Sequence, residues 1–278
     1  MNYKLQKGCC KTMIDLSQLK EQITPYIKEA GARIRDTHSS PVHEKAGHYN
    51  FVTDADVANQ EFLREKLSAV LPQSCFFAEE QENAALTDEY TWIVDPIDGT
   101  TNFMLNRHFS CVSIGLPHNR VPVLGMIYNP FTAELFSALR GEGAFCNEHP
   151  IHVSSAPFEK SLTTIGTAPY NAELHNATVH LMKEFLTRGG DIRRTGSAAL
   201  DLCDVASGRA DSFLELILSP WDFSAGALIV MEAGGVFDMP YSENGIDYGK
   251  PTAIFASNQA CREKAMEICM AAKELIKA

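Results

Sequence analysis

The chain has 278 residues, 45% of them hydrophobic and 21% charged, and its 24 basic and 35 acidic side chains leave a net charge of −11. That length allows one large domain or two closely packed ones, burying roughly three quarters of the unfolded chain's surface. The acidic balance argues against nucleic acid or an anionic membrane as the main partner, but a small anionic substrate stays open, because bound cations can reverse a local field.

The eight cysteines (Cys9, Cys10, Cys75, Cys111, Cys146, Cys203, Cys261 and Cys269) form no Cys-x-x-Cys pair and no zinc spacing. Several fall in apolar runs, as buried free thiols do, which points to a reducing cytoplasm. Residues 1–10 lack the apolar core of a signal peptide, and no apolar run approaches about 18 residues, so neither secretion nor membrane insertion is expected.

Helical spacing of Leu16, Leu19, Ile23, Ile27, Ala30 and Ile34 predicts a helix over 16–36. Pro25 is expected to kink or restart it, with Thr24 as a cap. Residues 37–50 read as a polar, mobile loop. In it, His43 and His48 are five apart rather than four, which does not match a zinc-protease signature. Thr53-Asp54-Ala55-Asp56 caps a second helix with an apolar stripe of Val57, Phe62, Leu63, Leu67 and Val70, closed by Pro72. Cys75–Ala78 is a short strand that breaks into Glu79-Glu80. Thr91–Val94 is a buried strand, and Pro96 biases Asp95 to its carboxyl end. Asp98-Gly99 is a turn, after which Thr100 and Thr101 open a helix.

Three strand-like runs follow at Phe109–Leu116, Val123–Tyr128 and Leu135–Leu139. Gly141-Glu142-Gly143 then leads into a further hairpin at Ala144–Asn147, and His149–His152 is a loop leading into a strand. From about residue 155 strands and helices alternate. Strands are expected at Ser161–Gly166, Ile192–Thr195, Asp211–Leu218, Val236–Met239 and Ala253–Ala256. Helices are expected at Ala172–Leu186 (apolar face Leu174, Val179, Leu181, Met182, Phe185), Gly196–Ser207, Phe223–Ala233 and 258–277. Residues 1–155 therefore read as an α+β half with an antiparallel sheet, and 156–278 as an α/β half, packed as one unit.

Three acidic elements lie where apolar elements end: Glu79, the Asp95/Asp98 pair, and Asp222. Each alone has an ordinary structural explanation: a strand running into solvent, a turn, a helix cap. Together they suggest oxygen ligands for hard cations, beside a turn whose N–H groups suit phosphate.

These stretches carry a resemblance. Asp95-Pro96-Ile97-Asp98-Gly99-Thr100-Thr101-Asn102 resembles the first signature of the inositol monophosphatase family. Trp221-Asp222-Phe223-Ser224-Ala225-Gly226, continuing through Glu232-Ala233-Gly234-Gly235, resembles its second. Phe77-Ala78-Glu79-Glu80 is similar to its metal-binding glutamate segment, and Gly196-Ser197-Ala198-Ala199-Leu200 to its substrate-side helix start. The resemblance runs from about residue 16 to 275. It implies an α+β fold, a layered α-β-α-β-α sandwich of the sugar-phosphatase type, in a lithium-sensitive, Mg²⁺-dependent homodimeric phosphatase.

The resemblance further implies that Glu79, Asp95 and the Ile97 carbonyl hold one Mg²⁺ and that Asp95, Asp98 and Asp222 hold a second, with a third, looser ion on Glu79 and waters. Thr100 with Glu79 orients the attacking water, and the Gly99 and Thr100 N–H groups bind phosphate. Asp98, Ser197, Ala198 and Glu215 face the leaving alcohol. Lys45 matches a loop lysine of the family. Two positions depart from it: Asn50 stands in place of an aspartate linked to the mobile loop, and Ser219 in place of a histidine near the substrate in the animal enzymes. The leading expected substrate is inositol-1-phosphate. The alternatives are fructose-1,6-bisphosphate, 3′-phosphoadenosine 5′-phosphate, or a regulatory binding role without turnover.

Overall fold

A seven-stranded and a five-stranded sheet enclose a layer of helices in the computed structural model, which describes residues 14–37, 40–45, 49–242 and 247–276. Helix α1 (Leu16–Asp36) starts at Asp15, whose carboxylate accepts the Gln18 N–H at 3.0 Å. The helix runs unbroken through Pro25, with no restart there. Thr24, expected as a cap, instead donates its hydroxyl to the Lys20 carbonyl at 2.8 Å. Pro25 deprives the Glu21 carbonyl of a donor, but Glu21 is exposed, so water can serve it. The expected loop 37–50 contains strand β1 (Val42–Glu44), paired antiparallel with β2 (Phe51–Thr53). Part of the zinc-protease look-alike, Ala46 to His48, lies outside the described residues, as do Cys9 and Cys10.

Helix α2 (Asp54–Val70) begins with a capping box between Thr53 and Asp56. Strands β3 (Cys75–Ala78) and β4 (Thr91–Asp98) run parallel. Then β5 (Cys111–His118), β6 (Val121–Asn129), β7 (Glu134–Leu139), β8 (Ala144–Cys146) and β9 (His149–Ile151) continue the sheet antiparallel in chain order. The expected loop at His149 is thus the edge strand β9. Strand β4 does not end at Asp95. It continues to Asp98 through an irregularity in its pairing with β5, where Pro96 is tolerated because the ladder lapses. Helix α3 (Thr100–Met104) follows at once.

The second sheet has the order β11-β10-β12-β14-β13. Strand β10 (Leu162–Ile165) runs parallel to β11 (Asp191–Arg193) and β12 (Ser212–Leu218). Strand β14 (Thr252–Ser257) runs antiparallel to β12 and to β13 (Val236–Asp238). The remaining helices are α4 (His175–Arg188), entered through a 3₁₀ turn at Ala172–Leu174, α5 (Ala198–Ala206), α6 (Pro220–Glu232), α7 (Arg262–Ala271) and α8 (Lys273–Ile276). The single terminal helix expected over 258–277 therefore starts at Arg262 and breaks at Ala272.

Strand periodicity explains the layering. Trp92 and Val94 of β4 pack with α1 and α2, whereas Ile93 faces the opposite way, into a core shared with α5, α6 and Phe213 and Ile254 of the second sheet. The other face of that sheet, Leu214 and Phe255, packs with Leu181 and Phe185 of α4 and Ile268 of α7. The order is helices, sheet, helices, sheet, helices: the expected α-β-α-β-α sandwich. Two residues of the expected stripes lie outside these cores. Val57 and Val179 are 52% and 65% exposed.

The central helix α6 sits on a seat made by glycines. Gly115 and Gly125 oppose one another across β5 and β6. A Cβ on Gly125 would lie 2.6 Å from the Ala225 carbonyl oxygen, and one on Gly115 would lie 3.1 Å from the Ala225 nitrogen. At Gly125 the obstacle is backbone, which cannot yield as a side chain can, whereas a Cβ on Gly115 would first meet the Ser224 hydroxyl at 2.5 Å. We expect Gly125→Ala to cost about 3 kcal/mol of stability, read as a lower urea midpoint. A midpoint equal to that of the parent protein would contradict the close approach.

Candidate active site

The site forms where β3, β4, α5 and α6 end or begin in one place. Gly99, just after β4, has φ 86°, a left-handed conformation that suits glycine. A Cβ there would also come within 3.2 Å of the Gly196 carbonyl oxygen and 3.3 Å of Ser197 Cβ, so the turn lies tightly under the start of α5. Asp222 is in the first turn of α6, which starts at Pro220 rather than at the expected Phe223. Its Oδ2 accepts the Ser219 N–H at 2.7 Å.

Carboxylate oxygens of Asp95, Asp98 and Asp222 all lie within 4.8 Å of one another. This is the one group of its kind among the described residues, and neither His149 nor His152 belongs to any such group. The neighbouring opening is lined by Lys45, Asn50, Glu79, Ile97, Gly99, Thr100, Tyr170 and Ser219 as well as the three aspartates. An adjoining pocket adds Gly166, Arg194, Ser197, Ala198, Asp201 and Glu215. Every residue assigned to the site from sequence therefore lines this composite opening.

The finer geometry separates them. Asp98 Oδ2 takes the Ser197 hydroxyl, the Ala199 N–H at 3.0 Å and the Cys111 thiol at 3.7 Å, which leaves Oδ1 for another partner. Ser197 caps α5 and gives its hydroxyl to Asp98. Glu79 Oε1 accepts from Lys45 Nζ at 2.7 Å, and the same ammonium reaches Glu80 Oε1 at 2.5 Å. The Thr100 hydroxyl lies 3.1 Å from the Ile97 carbonyl and 3.2 Å from Asp56 Oδ1. Glu215 Oε1 accepts the Ala168 N–H at 3.2 Å, and Gly166 has no room for a Cβ beside that carboxylate.

Asp56 was read from the sequence only as a helix-capping residue. It is buried beneath Thr100, and the signal that located it, Thr53-x-x-Asp56, says nothing of what lies above. Glu80 was read only as part of the acidic end of β3.

Burial, followed by the charges of Glu79, Asp98 and Asp222, pushes Asp95 well above the usual carboxylate range. Burial, followed by Asp98 and Glu79, does the same to Asp222. Burial raises Asp98 to about 6 against the bonds from Ser197 and Ala199, and raises Glu80 to about 7 with help from Glu79. Burial works to lower Lys45, but the two glutamates outweigh it and hold the ammonium protonated. The cluster thus concentrates negative charge in a half-closed space, with hard oxygen donors and neither imidazole nor thiolate among them. That donor set fits divalent cations such as Mg²⁺.

Comparison with known proteins agrees with this geometry. The model of the inositol monophosphatase family matches residues 15–276. Inositol monophosphatase 3 of tomato (Solanum lycopersicum) is 43% identical over 225 residues, covering 78% of this chain and 84% of that protein. The structure of the extragenic suppressor protein SuhB from Bartonella henselae superposes with a TM-score of 0.83 at 34% identity, covering 90% of this chain and 98% of that one. An IMPase/NADP phosphatase complexed with Mg²⁺ and phosphate superposes with a TM-score of 0.82 at 25% identity, covering 92% and 96%.

The chain belongs to the inositol monophosphatase family. It is accordingly a phosphoric monoester hydrolase. No helix among the described residues is long and apolar enough to cross a membrane.

Proposed function

We propose that the protein hydrolyses a phosphate monoester of a small polyol, with inositol-1-phosphate as the leading substrate and myo-inositol and phosphate as products. The observation that carries this reading is the convergence of Asp95, Asp98 and Asp222 beside a pocket that Asp98, Asp222 and Glu215 help to line. Glu79, Asp95 and the Ile97 carbonyl would hold one Mg²⁺, and Asp95, Asp98 and Asp222 a second. A third would rest on Glu79 once Lys45 releases it. Bound there, the ions would acidify a water and neutralise charge on the transferring phosphoryl group.

The chain's own groups supply orientation. The Thr100 hydroxyl, set between Asp56 and the Ile97 carbonyl, aligns the attacking water together with Glu79. The Gly99 and Thr100 N–H groups hold phosphate at the turn. Asp98, Ser197, Ala198 and Glu215 face the alcohol, with Glu215 as an acceptor for its hydroxyls and Ser197 acting through Asp98. The free state of the six described cysteines supports a cytoplasmic setting. The same reading extends to a lithium-sensitive homodimer.

The test is phosphate release with Mg²⁺ from inositol-1-phosphate, fructose-1,6-bisphosphate, 3′-phosphoadenosine 5′-phosphate and NADP. Preference for inositol-1-phosphate supports the reading; preference for another replaces the substrate; turnover of none favours a regulatory binding role. Glu215→Gln is expected to raise KM for the preferred polyol about tenfold with kcat within about threefold. Unchanged KM for every substrate in the panel would remove Glu215 from the alcohol wall.

A further inference from the structure

Helix α2 turns a polar face inward. Asp56, Asn59 and Gln60 stand at i, i+3 and i+4 and are all buried, where a helix lying on a sheet ordinarily presents apolar side chains. Burying amides is costly unless they are bonded, and these two are bonded to the site. Asn59 Nδ2 donates to the Pro96 carbonyl at 2.9 Å. Gln60 grips Glu80 at both backbone groups: Nε2 donates to its carbonyl at 3.1 Å, and Oε1 accepts its N–H at 2.9 Å.

The Pro96 carbonyl belongs to the same rigid peptide plane as the Ile97 N–H, and that N–H donates to Asp95 Oδ1 at 3.0 Å. One amide therefore fixes one plane, and the plane fixes one carboxylate. The stretch needs such a hold, because the pairing of β4 with β5 is irregular between Asp95 and Asp98. Gln60 does the corresponding job one strand away, since Glu80 directly follows Glu79. Packing alone does not account for Asn59. Its Oδ1 is buried without a hydrogen-bond partner, a cost that leucine at that position would avoid.

We infer that Asn59 and Gln60 are positioning residues of the metal floor: Asn59 sets the Asp95 carboxylate through the Pro96–Ile97 peptide, and Gln60 sets Glu79 through the backbone of Glu80. The inference rests on the metal-dependent reading above. It makes the polar face of α2 a template that holds ligands of β3 and β4 at a fixed spacing before an ion arrives.

The test compares the full-length protein with Asn59→Leu and Gln60→Met, both close in size to the parent residue, and with Val57→Ala on the exposed face of α2 as a control. Mn²⁺ binding is measured without substrate, by titration calorimetry and by the paramagnetic signal of free Mn²⁺. Metal-free melting temperatures are recorded alongside. Each of the two variants is expected to bind Mn²⁺ about tenfold or more weakly than the parent. The metal-free Asn59→Leu protein should melt no lower than the parent, and Val57→Ala should match the parent in both measurements. Parent-like Mn²⁺ affinity in both variants overturns the inference and leaves the phosphatase reading intact. So does a loss of affinity matched by an equal loss of metal-free stability, which would make the role structural. If the parent protein itself binds no Mn²⁺, the metal-dependent reading falls first and the inference with it.

Discussion

Asp222→Asn is expected to lower phosphatase activity by about 10³-fold or more while raising the melting temperature of the metal-free protein by a few degrees. Both effects come from one substitution. The amide can still accept the Ser219 N–H, so the start of α6 is kept. What is lost is a negative charge within 4.8 Å of those of Asp95 and Asp98. Without ions that charge is repulsive, and its removal relieves the fold. With ions it is a ligand, and its removal disables the site. Asp98→Asn should act alike. Its donors Ser197, Ala199 and Cys111 would take the amide oxygen and turn the NH₂ group toward the cations, which it cannot ligate. Full Mg²⁺-dependent activity in either variant would end the assignment. A lower metal-free melting temperature would mean that the cluster is not strained by like charge.

The second large effect is on stability against pH. Burial raises Asp56 and Asp98 from 3.8 to about 6, and Glu80 and Glu215 from 4.5 to about 7. Between those limits the folded chain holds protons that the unfolded chain has released. A raised carboxylate leaves stability intact below its unfolded value and subtracts from it as pH rises toward the folded value. The metal-free protein should therefore lose stability from about pH 4.5 to 7, at about 1.4 kcal/mol per pH unit for each extra proton held. Glu134, Glu159 and Asp191, held below their usual values by Arg209, Lys264 and Arg193, oppose this, but the last two pairs are exposed and screened by solvent. Saturating Mg²⁺ should flatten the slope, because bound cations keep the site carboxylates ionised in the folded state. Urea midpoints across this range, with chelator and with Mg²⁺, give the comparison. Metal-free stability that climbs with pH would refute the proposed crowding.

The proposed ligands were legible in the sequence because Glu79, Asp95, Asp98 and Asp222 interrupt apolar runs, and a carboxylate at the end of a buried element is conspicuous. The layers were legible from strand periodicity, as at Trp92, Ile93 and Val94, which pack alternately to opposite sides. What sat behind the ligands was not. Asp56, Asn59 and Gln60 look like a solvated helix face when read by hydrophobicity, and Val57 beside them looks like core. The structure reverses both, because polarity specifies inside or outside only when bonding partners are known. Pro25 does not restart its helix, because the cost of a missing N–H depends on whether water reaches the orphaned carbonyl. Ser197 was assigned to the substrate by its place in a motif, but its hydroxyl direction is set by Asp98, a residue 99 positions away.

The glycine seat under α6 has a consequence for how the enzyme can change. The spacing between Asp222 and the aspartates of β4 is metered at Gly125 by main chain against the main chain of Ala225, with no rotamer to absorb an error, and Gly115 lies beside it against Ser224 and Ala225. A shift of about 1 Å there would misplace a ligand badly enough to cost about a hundredfold in rate. The wall proposed to face the alcohol is built otherwise, from long side chains such as Glu215 and Arg194 on the second sheet and its loops, which can be exchanged without moving that seat. On the proposed reading the molecule separates a rigid gauge, which does the chemistry, from an exchangeable wall, which chooses the alcohol. New specificities are reachable by substitutions in the wall, while the tolerance of the gauge is close to nil.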